Sequence, residues 1–355
     1  MSYIENTYGP PPSVLLVGHG IFGAVHRKAL EDLEKDGRVI ISGVVDIDQC
    51  KLEGLSQRVF KNLNTALKKE NIDIVAVVTN TGDHANTIES VLEHKSNMDF
   101  FIEKSFVENV DQAKCLANRL SQSAVGFGFL IRQSPAIKAA IEYINKHQLK
   151  VEKVGVVWKK KRQPTRPSAG VHIDEACHSI DALLHYILPS IGACEFDSTV
   201  SIKPIKTKYS NKIIDKVAQE KIYGKSFSKP MAEVSYNIEV NGIQIKGLSS
   251  FIKGPVERKI TIDTMDKTRV EILFDKEVEG LKGDHIRVNK GTEQLISRSF
   301  SNINRVKSEW EEFLNYRQQK NRSFLVAGLY EAIRDLKITK ALAMDEVSIL
   351  QGSGS

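Results

Sequence analysis

Hydrophobic and polar positions in the first third of the chain recur in one order: a short apolar run, a turn of small or polar residues, then apolar residues spaced three and four apart. Apolar runs beginning at Val14 and spanning 39–46, 72–78, 99–102 and 123–130 predict buried strands. Between them, 49–57, 85–94 and 110–121 carry helical spacing, the last through Ala113, Leu116, Ala117 and Leu120. Residues 62–70 form a link and 79–84 a turn. Strands alternating with helices over this length predict a doubly wound parallel sheet, with ligands bound at the carboxyl ends of its strands.

Beyond residue 150 the texture changes. A strand at 154–158 and a basic, proline-containing loop lead to an amphipathic helix over 173–188. Alternating runs at 196–205, 231–240, 242–251, 258–264 and 269–274 then follow with no helix between them, which predicts a large open, mostly antiparallel sheet. The fold class is therefore α/β: an N-terminal Rossmann domain over 1–130 and a C-terminal α+β domain over 131–351. A helix at 324–343 is expected to pack back on the first domain, and 352–355 reads as a flexible tail or cloning scar. One face of the open sheet needs covering, which predicts a homodimer or homotetramer formed through it.

The first turn carries the most specific chemistry. The apolar run from Val14 feeds Gly18-His19-Gly20-Ile21-Phe22-Gly23, a GxGxxG turn opening a helix, and the next strand ends in Asp46. Gly18 permits the tight turn, Gly20 the approach of a pyrophosphate, and Gly23 close helix–strand packing, while the helix amides face the phosphate charge. Asp46 lies where a carboxylate takes both hydroxyls of an adenosine ribose and repels a 2′-phosphate. No arginine stands beside it, so NAD is favoured over NADP.

Composition narrows the rest. A chain of 355 residues suits two domains. No segment reaches about 18 uninterrupted apolar residues and no signal sequence opens the chain, so no membrane role and a cytoplasmic location are expected. The four cysteines have no metal-ligand spacing and are too few for a disulfide framework. The net charge of +6 is modest, and the lysine-rich stretches lack the patterns of a nucleic-acid binder, leaving a small, acidic molecule as the favoured partner.

In the second half, Asp174, His178 and Asp181 are spaced four and three apart, on one helix face. A carboxylate beside an imidazole orients it and leaves a base that titrates near neutrality, as removal of a hydroxyl proton requires. Asp174 as a helix cap and His178 as a satisfied, partly buried histidine weigh about equally on the helix alone. Lys104, at a strand end expected to face the same cleft, would favour alkoxide-like charge on a substrate oxygen. His172, Asp174, Cys177 and His178 would also suit a metal, but HExxH is absent and hydride transfer needs none, so no metal is expected.

These motifs together resemble the glucose-fructose oxidoreductase, inositol dehydrogenase and MocA group (GFO/IDH/MocA), from the first strand to the final helix. The resemblance rests on 18–23, on Thr79-Asn80 with His84, on Glu103-Lys104-Ser105, on Arg132-Gln-Ser-Pro135, and on the segment from Gly170 to Asp181. It implies that Lys104, Asp174 and His178 form the catalytic group, with His178 as acid/base and Asp174 supporting it. It implies that Thr79, Asn80 and His84 lie along the cofactor, that Glu103 anchors its nicotinamide half, and that Arg132 stands near cofactor or substrate.

Two positions depart from the family pattern. Ser105 replaces a proline commonly preceded by a cis peptide; cis costs a non-proline bond about 2.5–4 kcal/mol, so the sequence leaves both a trans and a cis turn open here. Ala176 replaces a glycine and adds a methyl group close to nicotinamide or substrate.

The expected function is an NAD-dependent oxidoreductase acting on a ring hydroxyl or ketone of a sugar, cyclitol or sugar derivative, including phosphorylated, nucleotide-linked or acidic ones. Lys104, Arg162, His172, Asp174 and His178 are the substrate-binding candidates, with the basic loop at 159–166 either a clamp for an anionic group or a solvated loop. Reduction of an imine or enone on the same fold and a non-enzymatic dinucleotide sensor are the alternatives; retention of both Lys104 and His178 favours alcohol/ketone chemistry.

Overall fold

The computed structural model describes residues 10–160, 170–209, 231–252, 254–278, 280–344 and 347–351. The chain divides into two units: residues up to Gly128 with Val306–Leu329, and Phe129–Arg305 with the residues from Tyr330 onward.

Among its described residues the first unit is built on six parallel strands: β1 (Ser13–Val17), β2 (Ile40–Val45), β3 (Val59–Phe60), β4 (Ile74–Val77), β5 (Asp99–Glu103) and β6 (Val125–Gly128). Their order, β3-β2-β1-β4-β5-β6, reverses direction between β1 and β4, the point where such sheets bind ligands. Helices α1 (Ile21–Lys35), α2 (Leu63–Lys69), α3 (Thr81–His94) and α4 (Val110–Arg119) connect the strands. Residues 49–57, expected as a helix, form only a 3₁₀ turn at Gln49–Lys51; Gly54 lies just beyond, in the left-handed region at φ +74°. The expected link at 62–70 is instead α2, whose N-cap Asn62 accepts the Thr65 N–H.

The segment that returns to this unit is 306–329. Of the next two helices, α7 (Arg305–Gln319) packs on the first sheet: Trp310, Phe313 and Leu314 join Val14, Leu16 and Phe101 in one apolar core. Trp310 stacks on Phe101 with ring centroids 4.3 Å apart. The helix expected over 324–343 runs Leu329–Ala341 (α8), and from Tyr330 onward it belongs to the second unit. A spacing of Val306, Trp310, Phe313 and Leu314 gives α7 the apolar stripe that was expected further along.

Among its described residues the second unit holds the strands β7 (Val151–Lys159), β8 (Val200–Tyr209), β9 (Met231–Val240), β10 (Ile243–Ser250), β11 (Glu257–Thr264), β12 (Thr268–Val278), β13 (Leu281–Lys290), β14 (Glu293–Ser301) and β15 (Ser348–Leu350), in the order β14-β13-β12-β11-β7-β10-β9-β8-β15 with β7 central. Among the described residues only β7 and β10 pair in parallel in this sheet. Helix α5 (Pro135–Lys146) begins with proline in its first turn, where no amide hydrogen is needed. A longer helix, α6, combines two π-helical stretches, His172–Ala176 and Ala182–Ile187, with α-helical segments Cys177–Asp181 and Leu188–Ser190. On β11 (Glu257–Thr264), Ile260 and Ile262 are buried while Lys259, Thr261 and Asp263 occupy the opposite face. Lys153 and Arg269 reach Asp263 there, and Lys259 lies near Glu257 and Glu271. A self-association face on this side would meet charged rather than apolar surface.

Behind α6 lies a buried ionic network. Arg132 grips Asp181 with two guanidinium nitrogens, Nε at 2.8 Å, and its third nitrogen lies 3.9 Å from Glu331. Asp335 and His185 complete the group, with His185 Nε2 3.2 Å from Asp335 Oδ1 but out of hydrogen-bond alignment. Among the described residues neither Asp335 oxygen has a donor. Burial therefore pushes the Asp335 carboxyl up to about 8, and burial likewise raises Asp181. Burial lowers His185 to about 3.

The pH dependence has a definite sign. An acid held at about 8 when folded and at its ordinary value when unfolded keeps its proton in the native state, so stability falls as pH rises toward 8. His185 contributes no slope above its unfolded value of 6.5, because it is neutral in both states there. Thermal unfolding followed by calorimetry should show a midpoint that drops between about pH 6.5 and pH 8.5, and a shallower drop in Asp335→Asn. An equal slope in both proteins would show that Asp335 is already ionised.

Candidate dinucleotide and proton-transfer site

The glycine turn explains itself through its three neighbours. Gly18 sits at φ +99°, and a Cβ there would come 2.6 Å from the Val78 carbonyl. At Gly23 a Cβ would overlap the Gly18 carbonyl oxygen. Gly20 differs: its φ is −70°, which any residue adopts, and a Cβ there would meet nothing within 4 Å among the described residues. It is glycine for the space it leaves and not for its backbone, which is what an approaching phosphate requires. Gly20 caps α1 with no side-chain hydrogen bond, and no acid stands in the first turn, so the Ile21 and Phe22 end of the helix keeps its positive character.

A cavity of about 390 Å³ opens beside that turn. Gly18 and Gly20 line it from β1, Asp46 and Ile47 from β2, and Val78, Thr79 and Asn80 from β4. These are the carboxyl ends of the strands flanking the switch point, so the sequence-predicted cofactor residues Gly18, Gly20, Asp46, Thr79 and Asn80 share one cavity. Lys51 and Lys61 line it as well.

Asp46 is held in place by the glycine turn itself. Its Oδ2 accepts the His19 N–H at 2.7 Å and its Oδ1 accepts the Asp48 N–H at 2.9 Å. His19 Nδ1 lies 2.7 Å from the Lys51 carbonyl, and Arg27 Nε donates to His19 Nε2 at 3.1 Å. The ring therefore carries its proton on Nδ1 and ties the glycine turn to the end of β2. Sequence reasoning missed this histidine, although its place between two motif glycines was a signal.

Glu103, at the end of β5, is buried against His26, with Nε2 2.8 Å from Oε1. Trp310 donates its indole N–H to His26 Nδ1 at 3.0 Å, which leaves the His26 proton on Nε2, pointing at the carboxylate. Lys104 follows, half-buried. The Lys104–Ser105 peptide, left open by the sequence, is cis. The chain around it is fixed by His84: its Nδ1 lies 3.0 Å from the Ser105 carbonyl and 3.1 Å from that of Phe106, and its Nε2 lies 3.2 Å from that of Thr79. His84 is fully buried, outside the cavity lining, with its pKa lowered by burial. It holds two loops together and presents no nitrogen to the cavity.

In the second unit, α6 carries the other candidates. Asp174 and His178 are both half-buried, and the Asp174 N–H bonds the Gly170 carbonyl at 2.9 Å. The His178 ring lies 6.4 Å from the indole of Trp158. Trp158 donates to Glu175, which also receives Lys160 at 2.9 Å and Arg258 at 3.2 Å, so this turn of α6 is pinned to β7 and β11 by a buried carboxylate. His172 is buried and packs on Gly170; burial lowers it to about 4, so it is neutral at physiological pH.

Asp181 does not accompany Asp174 and His178. It turns into the core and pairs with Arg132, which is equally buried and engaged within its own unit. Of the basic loop, Lys159 pairs with Glu257 and Lys160 with Glu175, while Arg162 lies outside the described residues.

Residues 13–130 match the family described as an oxidoreductase family with an NAD-binding Rossmann fold. No curated protein sequence matches the chain. Among solved structures, a UDP-N-acetylglucosamine 3-dehydrogenase from Acidithiobacillus ferrooxidans is similar at 15% identity and TM-score 0.69, covering 94% of this chain and 96% of that one. A myo-inositol dehydrogenase from Lactobacillus casei, in complex with NAD(H) and myo-inositol, is similar at 17% identity and TM-score 0.70, covering 97% and 98%. A 3-ketoreductase from Actinomadura kijaniata, in complex with TDP-benzene and NADP, is similar at 10% identity and TM-score 0.71, covering 94% and 98%. At these identities the likeness is one of fold. Among the described residues no helix is long and apolar enough to cross a membrane.

Proposed function

We propose, from the match of residues 13–130 to the GFO/IDH/MocA oxidoreductase family, that the chain is an NAD-dependent dehydrogenase. Its substrate is a ring hydroxyl, or the matching ketone, of a sugar, cyclitol or sugar derivative. The observation that carries this reading is the cavity at the switch point, with open space over Gly20 at one side and the fixed Asp46 carboxylate at the other. Structures of similar fold include proteins named for a nucleotide-linked sugar and for a cyclitol, which supports the substrate class.

The turn shaped by Gly18 and Gly23 would hold the pyrophosphate over Gly20 and against the helix amides of Ile21 and Phe22, Asp46 would hold the adenosine ribose, and Thr79, Asn80 and Glu103 the remainder of the cofactor. Bound nicotinamide supplies the hydride acceptor in oxidation and the donor in reduction. His178 accepts the substrate hydroxyl proton on a ring nitrogen during oxidation and returns it during reduction. Asp174 supports the imidazolium that forms, and the Lys104 ammonium hydrogen-bonds the substrate oxygen as negative charge builds on it.

Absorbance of reduced nicotinamide tests this reading, with NAD and a panel of sugars, cyclitols and their phosphates and nucleotide conjugates. Turnover of at least one class is the expected result. Tight NAD binding with no turnover across the panel would contradict dehydrogenase function and favour a sensor.

A further inference from the structure

Two ammonium groups stand at the adenosine end of the cavity, and the role of Asp46 in favouring NAD leaves both unused. Lys51 Nζ lies 3.6 Å from Asp46 Oδ1 and 3.7 Å from Asp48 Oδ2, beyond hydrogen-bond reach of either, and its side chain is 44% exposed. Lys61 lines the same cavity and makes no ion pair among the described residues. Asp46, meanwhile, spends a lone pair of each oxygen on a backbone N–H, from His19 and from Asp48. A carboxylate excludes a ribose 2′-phosphate by uncompensated negative charge. Here that charge is offset from within the same cavity.

We propose that Lys51 sets the cofactor selectivity of this chain. With a free ribose 2′-hydroxyl, Asp46 accepts the hydroxyl and Lys51 stays beside the carboxylate. With a 2′-phosphate, the flexible lysine stem brings the ammonium to the phosphate, seconded by Lys61, so NADP is accepted alongside NAD. An arginine is therefore unnecessary for 2′-phosphate binding here. The proposal rests on the reading of this cavity as a dinucleotide site.

The test is equilibrium binding of NAD and of NADP to the full chain and to Lys51→Met, read by calorimetric titration. The expected wild-type dissociation constants lie within about thirtyfold of each other, NAD the tighter. In Lys51→Met, NADP should weaken by about tenfold or more while NAD changes by less than about threefold. An unchanged NADP affinity, or equal losses for both cofactors, overturns the role of Lys51. Wild-type protein that binds NAD but not NADP overturns it too, and leaves the dehydrogenase reading standing. Wild-type protein that binds neither removes the dinucleotide site, and this proposal with it.

Discussion

His178→Ala is expected to lower kcat by about a hundred- to ten-thousandfold, the range for loss of a positioned general acid–base group. Melting temperature and NAD affinity should stay close to wild type. The site explains why such a loss would be selective. His178 is half-buried on a turn of α6 that is fixed independently of its own ring, through Glu175 and the three donors Trp158, Lys160 and Arg258. Removing the imidazole leaves that anchorage whole. Lys104→Ala should cost less, about a hundred- to thousandfold, because it removes one hydrogen bond to the developing oxyanion and not the proton acceptor.

The pH profile of kcat separates chemistry from structure. Wild type should lose activity on the acid side as the base becomes protonated, and that limb should vanish from the residual rate of His178→Ala. A variant that keeps wild-type kcat would remove His178 from the reaction. A variant that loses kcat but keeps the acid limb would assign the base to another residue.

Much of the first unit is legible because its signals are local. The apolar run of β1, the three glycines and the acid at the end of β2 lie within 13–46, and each has one physical requirement that its residue type meets. The weaker elements failed for equally local reasons. Strand β3 has two residues, Val59 and Phe60, too few to show any period. The 49–57 stretch has helical spacing, but Gly54 adopts a conformation in which no helix continues. Strands β13 (Leu281–Lys290) and β14 (Glu293–Ser301) went unread, and β14 is largely exposed, so its alternation carries little hydrophobic contrast.

The site residues divide in the same way. Gly18, Gly20, Asp46, Thr79 and Asn80 line one cavity because each ends a strand or opens a helix of a single sheet. Arg132, Asp181 and His84 look chemically equivalent to them in sequence, yet all three are consumed by partners that only the fold supplies. Arg132 and Asp181 are 49 positions apart, and His26 and Trp310 are 284 apart. Nothing in the local pattern distinguishes a buried arginine with a carboxylate waiting for it from one that meets a ligand.

Gly20→Val and NAD titration together test the dinucleotide site most directly. Backbone strain is not at issue, since Gly20 has φ −70°. Nor is protein packing, since a Cβ there meets no atom of the other described residues within 4 Å. The added branched side chain has one place to go, the space over the glycine turn that the pyrophosphate would occupy. Calorimetry should find an unchanged melting temperature in the absence of cofactor and a loss of NAD affinity of about a hundredfold, equivalent to about 2.7 kcal/mol. NAD bound by a folded Gly20→Val protein with wild-type affinity would mean that the cofactor does not lie against this turn, and would contradict the assignment of the cavity.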